Sequence, residues 1–327
     1  MDIFDEFDGT FGDIMGDFLG YEKKNKRRWS WTNKQQARLQ KVKSILDNLR
    51  NYWPVTLRQL YYQLVSKNII ENKRSAYNSL SKLVKYARLD DYIPWEAIED
   101  RLRQANLNSG WSDKEEFLRG EVDNFLNGYR RHLQQGQKNY IEIWIEKDAL
   151  ASIFQRVADP FCIPVCICRG FSSVSFLNDL RDRLMRRLQK KQRPILLYFG
   201  DLDPSGEEML PSMKLTLEAE MGVLGVTYKK IALTKDDVKR YDLPHNPNAV
   251  KKTDSRYRKF VKKYGLYAVE LDALPPDILQ KRIKEAITEN IDLSQFNQET
   301  EKAKKEELIL VGFKEKMKDW VDQNWKS

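Results

Sequence analysis

Two stretches of sequence decide the fold: YIEIWIEKD, residues 140–148, and RPILLYFGDLDPSG, residues 193–206. Each begins with an apolar run of strand length and ends in acidic residues, and the second continues into a Pro and a Gly that turn the chain. Nearly continuous apolar runs are typical of strands that are buried on both faces of a parallel sheet. We therefore predict strands over 140–145 and 194–199.

Outward from these stretches, apolar runs of strand length alternate with segments of helical periodicity. The other predicted strands are 163–168, 226–233 and 266–271, and the predicted helices are 149–157, 176–188 and 206–221. Alternation of strands and helices indicates a largely parallel sheet covered by helices on both faces. The sequence therefore predicts a Rossmann-like α/β domain over residues 139–275.

Acidic residues end two of these strands, at the sheet edge where parallel sheets bind their ligands. Glu146 follows the first strand, and Asp201 and Asp203 follow a later one, two residues apart and so pointing the same way. Three such carboxylates make an all-oxygen site that suits Mg²⁺ or Mn²⁺, cations that neutralise and polarise phosphates. Acids after strands also cap helices, which is the structural alternative. Glu142 shares the face of Glu146 but lies earlier in the strand, and we interpret it as structural.

Residues 33–105 form a helical module upstream of the sheet. The predicted elements are helices over 35–51, 57–64 and 74–89 and a wing strand over 92–98. Pro54 breaks the chain before the second helix, and Thr56 with Gln59 forms a possible capping box for it. Helix, short helix, basic helix and strand predict a winged helix-turn-helix domain. A plain helical bundle is the alternative.

Basic side chains lie on or beside the third predicted helix. They are Lys73, Arg74, Lys82, Lys85 and Arg88. The whole chain carries a formal net charge of +9, and a basic excess favours polyanions because neutralised phosphates release their counterions. We interpret the five side chains as contacts to double-stranded DNA, with solvated charges as the alternative.

The regions that flank the two domains differ from them in composition. Residues 1–32 form a leader with six acids and no Lys or Arg before residue 21, followed by a basic stretch at 23–28. We interpret it as a flexible leader, a docking peptide or an acidic arm that competes with DNA. Residues 106–138 are polar and are predicted to connect the domains, whereas 276–327 is predicted to be helical and charged.

Composition excludes several other classes of protein. Two His cannot build a histidine-rich metal site, and the three Cys, on or near a predicted strand, are expected to be small buried residues in a reducing cytosol. No apolar run approaches the ~18–20 residues of a membrane span, and the acidic N-terminus is unlike a signal peptide. We expect a cytoplasmic, nucleoid-associated protein of bacterial, archaeal or viral type that has no membrane partner.

The carboxylate motifs resemble a TOPRIM domain, most closely that of the DNA-cleaving subunit of topoisomerase VI and of its relative that makes meiotic double-strand breaks. Glu146-Lys147-Asp148-Ala149 matches the Glu-Lys-Asp-Ala of that family, 168–170 matches its Gly-containing loop, and 201–206 matches its Asp-x-Asp-Pro-x-Gly. The resemblance implies that Glu146, Asp201 and Asp203 hold Mg²⁺. Lys147, within the same motif, joins Glu146 among the candidate catalytic residues.

The resemblance extends upstream and covers residues 50–275. The winged helix of the family carries its DNA-attacking tyrosine in Thr-x-Arg-x-x-Tyr-Tyr, matched by residues 56–62, so that Tyr62 corresponds to the nucleophile. Helical spacing predicts that Tyr61 is a core residue and that Tyr62 lies off the apolar stripe. Arg58 lies four residues before Tyr62 and so on the same face of the helix. A guanidinium there would favour the phenolate form of Tyr62. The implied enzyme is a homodimer that forms a 5′-phosphotyrosyl link to DNA and works with a separate ATPase subunit.

Other functions remain open on the sequence. The chain also resembles the nuclease subunit of Wadjet plasmid-defence systems. This resemblance implies a second possibility, in which metal-activated water hydrolyses DNA and Tyr62 takes no part in the chemistry. Gly200-Asp201 and the segment 268–276 depart from the eukaryotic relatives, which puts strand passage in doubt. Within that segment, Glu270 and Asp272 are either extra ligands or caps of the next helix, and we favour caps. A non-catalytic DNA-binding adaptor, and phosphoryl transfer on RNA or small molecules, are further alternatives.

Overall fold

The computed structural model describes residues 30–99, 110–168, 174–246, 249–250 and 253–324. Of the predicted leader, only residues 30–32 fall within this range. The helices are α1 (Asn33–Asn48), α2 (Leu57–Ser66), α3 (Arg74–Leu89), α4 (Lys114–Asn124), α5 (Ala151–Ala158), α6 (Val174–Gln189), α7 (Pro204–Leu215), α8 (Lys235–Arg240), α9 (Tyr257–Tyr264), α10 (Pro276–Thr288) and α11 (Leu293–Asn324). The strands are β1 (Val55–Thr56), β2 (Ile98–Glu99), β3 (Asn139–Ile145), β4 (Val165–Ile167), β5 (Arg193–Phe199) and β6 (Thr227–Ala232).

The larger sheet has four strands in the order β4-β3-β5-β6, and every pair is parallel. Odd-numbered residues of β3 and β5, such as Ile143 and Leu197, pack into one buried cluster, and even-numbered ones, such as Trp144 and Tyr198, pack into another. The predicted α/β class with a parallel sheet buried on both faces is therefore confirmed. The strand predicted over 266–271 is wrong: this segment makes only an isolated antiparallel bridge between Leu202 and Val269.

The helical module packs directly on the sheet, because apolar residues of α1, α2 and α3 share one continuous core with the odd-numbered face of β3 and β5. α2 begins with the predicted capping box, in which Thr56 Oγ1 accepts from the N–H of Gln59 and Gln59 Oε1 accepts from the N–H of Thr56. α3 has the predicted bounds.

The predicted wing strand over 92–98 is wrong in extent. Residues Trp95–Ala97 form a 3₁₀ turn, and only the last residue of the prediction enters β2. β2 pairs in parallel with β1 over two residues, a contact between segments more than 40 positions apart that local alternation does not reveal.

The predicted connector, residues 106–138, contains a helix in its described part. α4 is capped by Asp113, whose side chain accepts from the N–H groups of Glu115 and Glu116. This helix lies against α11, the second of two helices that fulfil the helical prediction for 276–327. The sequence does not signal this helix, because α4 buries only Val122 and so has almost no apolar periodicity. No helix in the described ranges is long and apolar enough to cross a membrane.

Candidate metal and nucleic-acid site

Glu146 and Asp201 meet at the carboxyl ends of β3 and β5. These neighbouring strands run in parallel to the register Ile145↔Phe199, so the residues that follow them lie side by side. The backbone N–H of Asp201 donates to Glu146 Oε2 at 3.2 Å. Asp201 is only 5% exposed, and its Oδ1 accepts from the N–H of Leu271 at 2.8 Å.

Asp203 lies two residues further on, at the start of α7. Its Oδ1 accepts from the N–H of Gly206 at 2.7 Å, so Asp203 is the N-cap of the helix. Gly206 itself is required by space, because a Cβ there would lie 2.3 Å from the carbonyl oxygen of Asp201. Burial raises the pKa of Glu146, and the negative charge of Asp203 raises it further. Glu146 therefore feels the charge of Asp203.

The three carboxyl groups do not form a ready-made metal cage. Across the described residues, no three His, Cys, Asp or Glu side chains converge in an arrangement that could hold a metal ion. Asp201 instead turns its Oδ2 to Lys147 Nζ, at 3.0 Å. Burial raises the pKa of Asp201 to about 7, although the charge of Lys147 opposes the shift; the charge of Glu146 adds to it.

Lys147 is the centre of a buried ionic network that the sequence did not reveal. Its Nζ also lies 3.0 Å from Glu270 Oε2 and 2.9 Å from Asp272 Oδ2. Burial alone would lower the pKa of Lys147, but the charges of Asp272, Asp201 and Glu270 outweigh it and the pKa is raised. This one ammonium therefore pairs with three acids, and Glu270 has Arg58 as a second cationic partner.

The prediction that Glu270 and Asp272 cap a helix is wrong. Neither side chain caps the short turn Leu271–Ala273 or α10, which follows Pro275. Burial favours the neutral form of Glu270, yet Lys147 and Arg58 lower its pKa below the ordinary value. The segment 268–276 stood out in the sequence for its acids, but the cationic partners of these acids are 123 to 212 positions away in the chain.

Arg58 projects from α2 toward the same network and forms an ion pair with Glu270. Its guanidinium carbon also lies 5.8 Å from the ring centre of Tyr77. Burial would lower the pKa of Arg58, but the charges of Glu270 and Asp272 raise it overall. Arg58 therefore joins the helical module to the acidic edge of the sheet.

Tyr62 is buried, contrary to the expectation that it lies off the apolar stripe of its helix. The residue is 3% exposed and its ring packs edge-on against Tyr61, with ring centres 5.1 Å apart. α2 contacts α1 on one side and the turn Leu271–Ala273 on another, so nearly all of its faces are covered. Burial, followed by the charge of Glu270, raises the pKa of Tyr62, and the charge of Arg58 offsets this only in part.

A cleft of about 940 Å³ opens beside the carboxyl ends of the strands. Its walls come from α2, α3 and β2 on one side and from residues 146–149 on the other. Four cationic side chains, Arg58, Lys85, Arg88 and Lys147, and four acidic ones, Glu99, Glu146, Asp148 and Asp272, line it. The cleft also has an aromatic wall, where the guanidinium carbon of Arg88 lies 4.5 Å from the ring centre of Trp95.

The predicted DNA-contacting residues fall along one helix. Lys82 and Lys85 are exposed on α3, Arg74 is exposed at its start, and Lys73 is its exposed N-cap residue. Arg88 is half-buried, and its Nη2 donates to the carbonyl oxygen of Trp95 at 2.9 Å. The exposed charges extend the cationic surface beyond the cleft.

Comparison with known proteins adds no family to this description. No family model matches the chain, and no curated protein matches it. The function of the protein must therefore be inferred from the geometry of the site and from the residues that form it.

Proposed function

We propose that this protein cuts DNA in a reaction that depends on Mg²⁺ or Mn²⁺ held by Glu146, Asp201 and Asp203. The observation that carries the proposal is the position of these acids. They follow the carboxyl ends of two adjacent parallel strands, which is the edge at which parallel sheets bind ligands. Glu146 also lines a cleft to which four cationic side chains contribute. Four acids, Glu99, Glu146, Asp148 and Asp272, line the same cleft, so individual cationic side chains, and not a net positive charge, would contact a phosphodiester backbone.

The donor set fits a hard divalent cation. All three side chains supply carboxylate oxygens. Glu146 and Asp203 each accept one backbone N–H, and Asp201 accepts the N–H of Leu271 on Oδ1 and pairs with Lys147 on Oδ2. Since a carboxylate has about four acceptor positions, positions remain for a cation on each of the three. When bound, such a cation neutralises phosphate charge and polarises the phosphorus–oxygen bond. The role of Lys147 is to stabilise Asp201 in its ionised form, which is the form that binds a cation.

The burial of Tyr62 favours hydrolysis over a phosphotyrosyl mechanism. A nucleophilic tyrosine must reach a phosphorus atom near the metal ligands and release its proton. Tyr62 is 3% exposed, and the pocket of about 410 Å³ that it lines with Arg58 and Arg74 is separate from the cleft that Glu146 lines. The pKa of its hydroxyl group is also raised by burial. A water molecule can enter the cleft and does not depend on the exposure or the pKa of Tyr62. In the hydrolytic mechanism, Tyr62 packs α2 against the ionic network, and Arg58 positions Glu270.

The helical module supplies the DNA-binding surface in this proposal. Exposed Lys82 and Lys85 on α3 contact phosphates of the duplex, and the cleft leads from Lys85 to Glu146. We propose in addition that residues 33–105 are a winged-helix domain and 139–275 a TOPRIM domain. In the proposal for DNA cleavage, the homodimer and the separate ATPase subunit come from the resemblance in sequence and not from the geometry of the site.

Plasmid cleavage tests the proposal directly. Supercoiled DNA is incubated with the protein and Mg²⁺, and the products are resolved with and without detergent and protease. We expect nicked or linear DNA from the wild type, and at least about a hundredfold less from Glu146→Gln or Asp201→Asn, since each removes a cation ligand. The matched control is Glu208→Gln, an acid of α7 that pairs with Lys259 at the surface, and it should cut normally.

Three outcomes would separate the alternatives. Undiminished cutting by Asp201→Asn would refute the metal site. DNA binding without any cleavage, with either cation, would favour the non-catalytic adaptor. Protein attached to the DNA ends after detergent would overturn the hydrolytic mechanism in favour of transesterification by Tyr62.

A further inference from the structure

Two antiparallel helices form an arm on the protein, made of α4 and residues 306–324 of α11. Ion pairs and hydrogen bonds run along their contact: Arg119 Nη1 lies 3.5 Å from Asp322 Oδ1, and Lys314 Nζ donates to Asn127 Oδ1 at 2.9 Å. These polar contacts lie at exposed positions, where ion pairs contribute little stability. The arm is therefore held together weakly by its own contacts.

The arm has almost no core. Val122 is the one buried residue described on α4, and Glu299 and Val321 are the buried residues described on α11, a helix of 32 residues. A helix in water derives most of its stability from burying an apolar face. The arm as it stands leaves most of its apolar side chains exposed, which is unusual for a helix that functions alone.

One face of α11 carries a continuous apolar stripe, formed by Ile309, Phe313, Met317 and Trp320. These residues are 60%, 59%, 38% and 55% exposed. Their spacing of four, four and three positions aligns them along a single face of a helix, the pattern with which one helix packs against another. Isolated exposed apolar residues are ordinary, but a stripe of four marks an interaction surface.

The stripe does not face α4. The residues of α11 that pair with α4 are Lys314, Lys318 and Asp322, and at about 100° per residue the centre of the stripe lies more than a quarter turn away from each of them. Leu308, which is also exposed, lies on a third side of the helix, about 140° from Phe313. The structure thus offers a stripe and, on the same helix, an apolar residue outside it.

We infer that the apolar stripe is the interface between two copies of this chain, which join their arms into a four-helix bundle. Two helices from each copy, each pair antiparallel, supply the number and the direction of helices that such a bundle needs. A two-fold axis lets the same stripe serve both partners, so no second kind of surface is required.

The charge and the area of the surface fit a second copy. Between residues 302 and 322, α11 has six Lys and five acids, a near balance that gives no attraction to DNA or to an anionic membrane. Four side chains exposed to this extent present about 400–500 Å² per copy, since a large aromatic side chain buries about 150–250 Å² when fully covered. With the helix surface beside them, this approaches the ~800 Å² per partner of a standard interface.

Sedimentation velocity and light scattering of the full chain test the inference, in EDTA and without DNA. The double variant Phe313→Glu/Trp320→Glu places charges in the stripe, whereas Leu308→Glu places one on the same helix outside it. We expect a dimer for the wild type and for Leu308→Glu over roughly 1–100 µM, and a shift of at least about tenfold toward monomer for the double variant. Circular dichroism checks that all three keep their helices.

Three results would overturn the inference. A wild type that is monomeric throughout this range has no such interface. A double variant that remains as dimeric as the wild type places the interface elsewhere, and an equal loss in Leu308→Glu shows that the stripe has no special part. Since neither metal nor DNA is present, these results are independent of the proposed cleavage.

Discussion

Lys147 is the side chain that joins the acids of the candidate site. Its ammonium group lies within 3.0 Å of oxygens from Asp201, Glu270 and Asp272. Removing one partner of a buried ionic cluster costs more than the cluster contributes in net stability, because the remaining charges lose both solvent and counter-charge. Loss of the Lys147 ammonium would leave three carboxyl groups without the cation that they share.

Lys147→Met should lower the free energy of unfolding by about 3–5 kcal/mol at neutral pH. Urea denaturation measures the change, and Lys281→Met, an exposed lysine of α10, is the control, expected to stay within about 0.5 kcal/mol. The loss should be smaller in acid. Without Lys147 the carboxyl groups have raised pKa values in the folded state. Their charges therefore destabilise the fold only at pH values above the pKa that these groups have in the unfolded chain. A loss that is equal at pH 4 and pH 7 would contradict the network.

Tyr62→Phe distinguishes the two cleavage mechanisms at the residue scale. The ring stays in place against Tyr61 and only the hydroxyl group is lost. We expect plasmid cleavage within about threefold of the wild type, with DNA ends free of protein, because hydrolysis needs no phenolate. Cleavage that disappears together with a covalent adduct would make Tyr62 the nucleophile after all.

At the scale of the element, α6 is held on β3 by a buried ion pair. Arg183 Nε lies 2.9 Å from Glu142 Oε1, and Tyr140 and Trp144 also donate to the same carboxylate. Burial would raise the pKa of Glu142, but the hydrogen bonds from Arg183 and Tyr140 outweigh it and the pKa is lowered. The sequence-based interpretation of Glu142 as structural agrees with these contacts.

Arg183→Met should therefore destabilise the fold by about 3–5 kcal/mol at pH 7, because Glu142 would stay buried without its cation. A carboxyl group with a depressed pKa stabilises the fold above its ordinary value of 4.5, and this contribution disappears as the pH falls through its folded value. The gap between variant and wild type should hence close in acid. Thermal unfolding from pH 3 to 8 measures it, and the double variant Glu142→Gln/Arg183→Met should recover part of the loss. A difference in stability between variant and wild type that grows in acid would contradict the buried ion pair.

Local sequence signals predict some elements well and others poorly. The strands β3 and β5 and the capping box at Thr56 depend on neighbours within a few positions, which periodicity and spacing report. β2 and α4 depend on contacts made across the chain, with β1 and α11, and they were missed or misplaced for that reason. The burial of Tyr62 has the same origin, since the turn that covers α2 lies about 210 residues away.

At the scale of the whole molecule, the helical module and the sheet share one core, and the candidate site lies where they meet. The sequence predicted which acids lie at the edge of the sheet, because strand ends follow from the order of the strands. It did not predict that Lys147 pairs with Asp201, or that Glu270 and Asp272 complete the network. Side-chain pairing of this kind is decided by the final packing of segments that are distant in sequence.

DNA binding by the whole molecule should depend on salt through α3. Lys82→Ala/Lys85→Ala should weaken binding and flatten the slope of log affinity against log salt by about 2, since each phosphate contact contributes about 0.9. Fluorescence anisotropy with a labelled duplex measures the slope. The matched control is Lys281→Ala/Lys284→Ala on α10, which removes the same charge elsewhere. Equal slopes for the two double variants would refute phosphate contacts by α3.

The most direct test of the central claim is a crystal structure with Mn²⁺, recorded at the manganese absorption edge. We predict one anomalous peak at about 2.0–2.2 Å from carboxylate oxygens of Glu146, Asp201 and Asp203. Crystals soaked to saturation that show no peak at these three residues would contradict the claim.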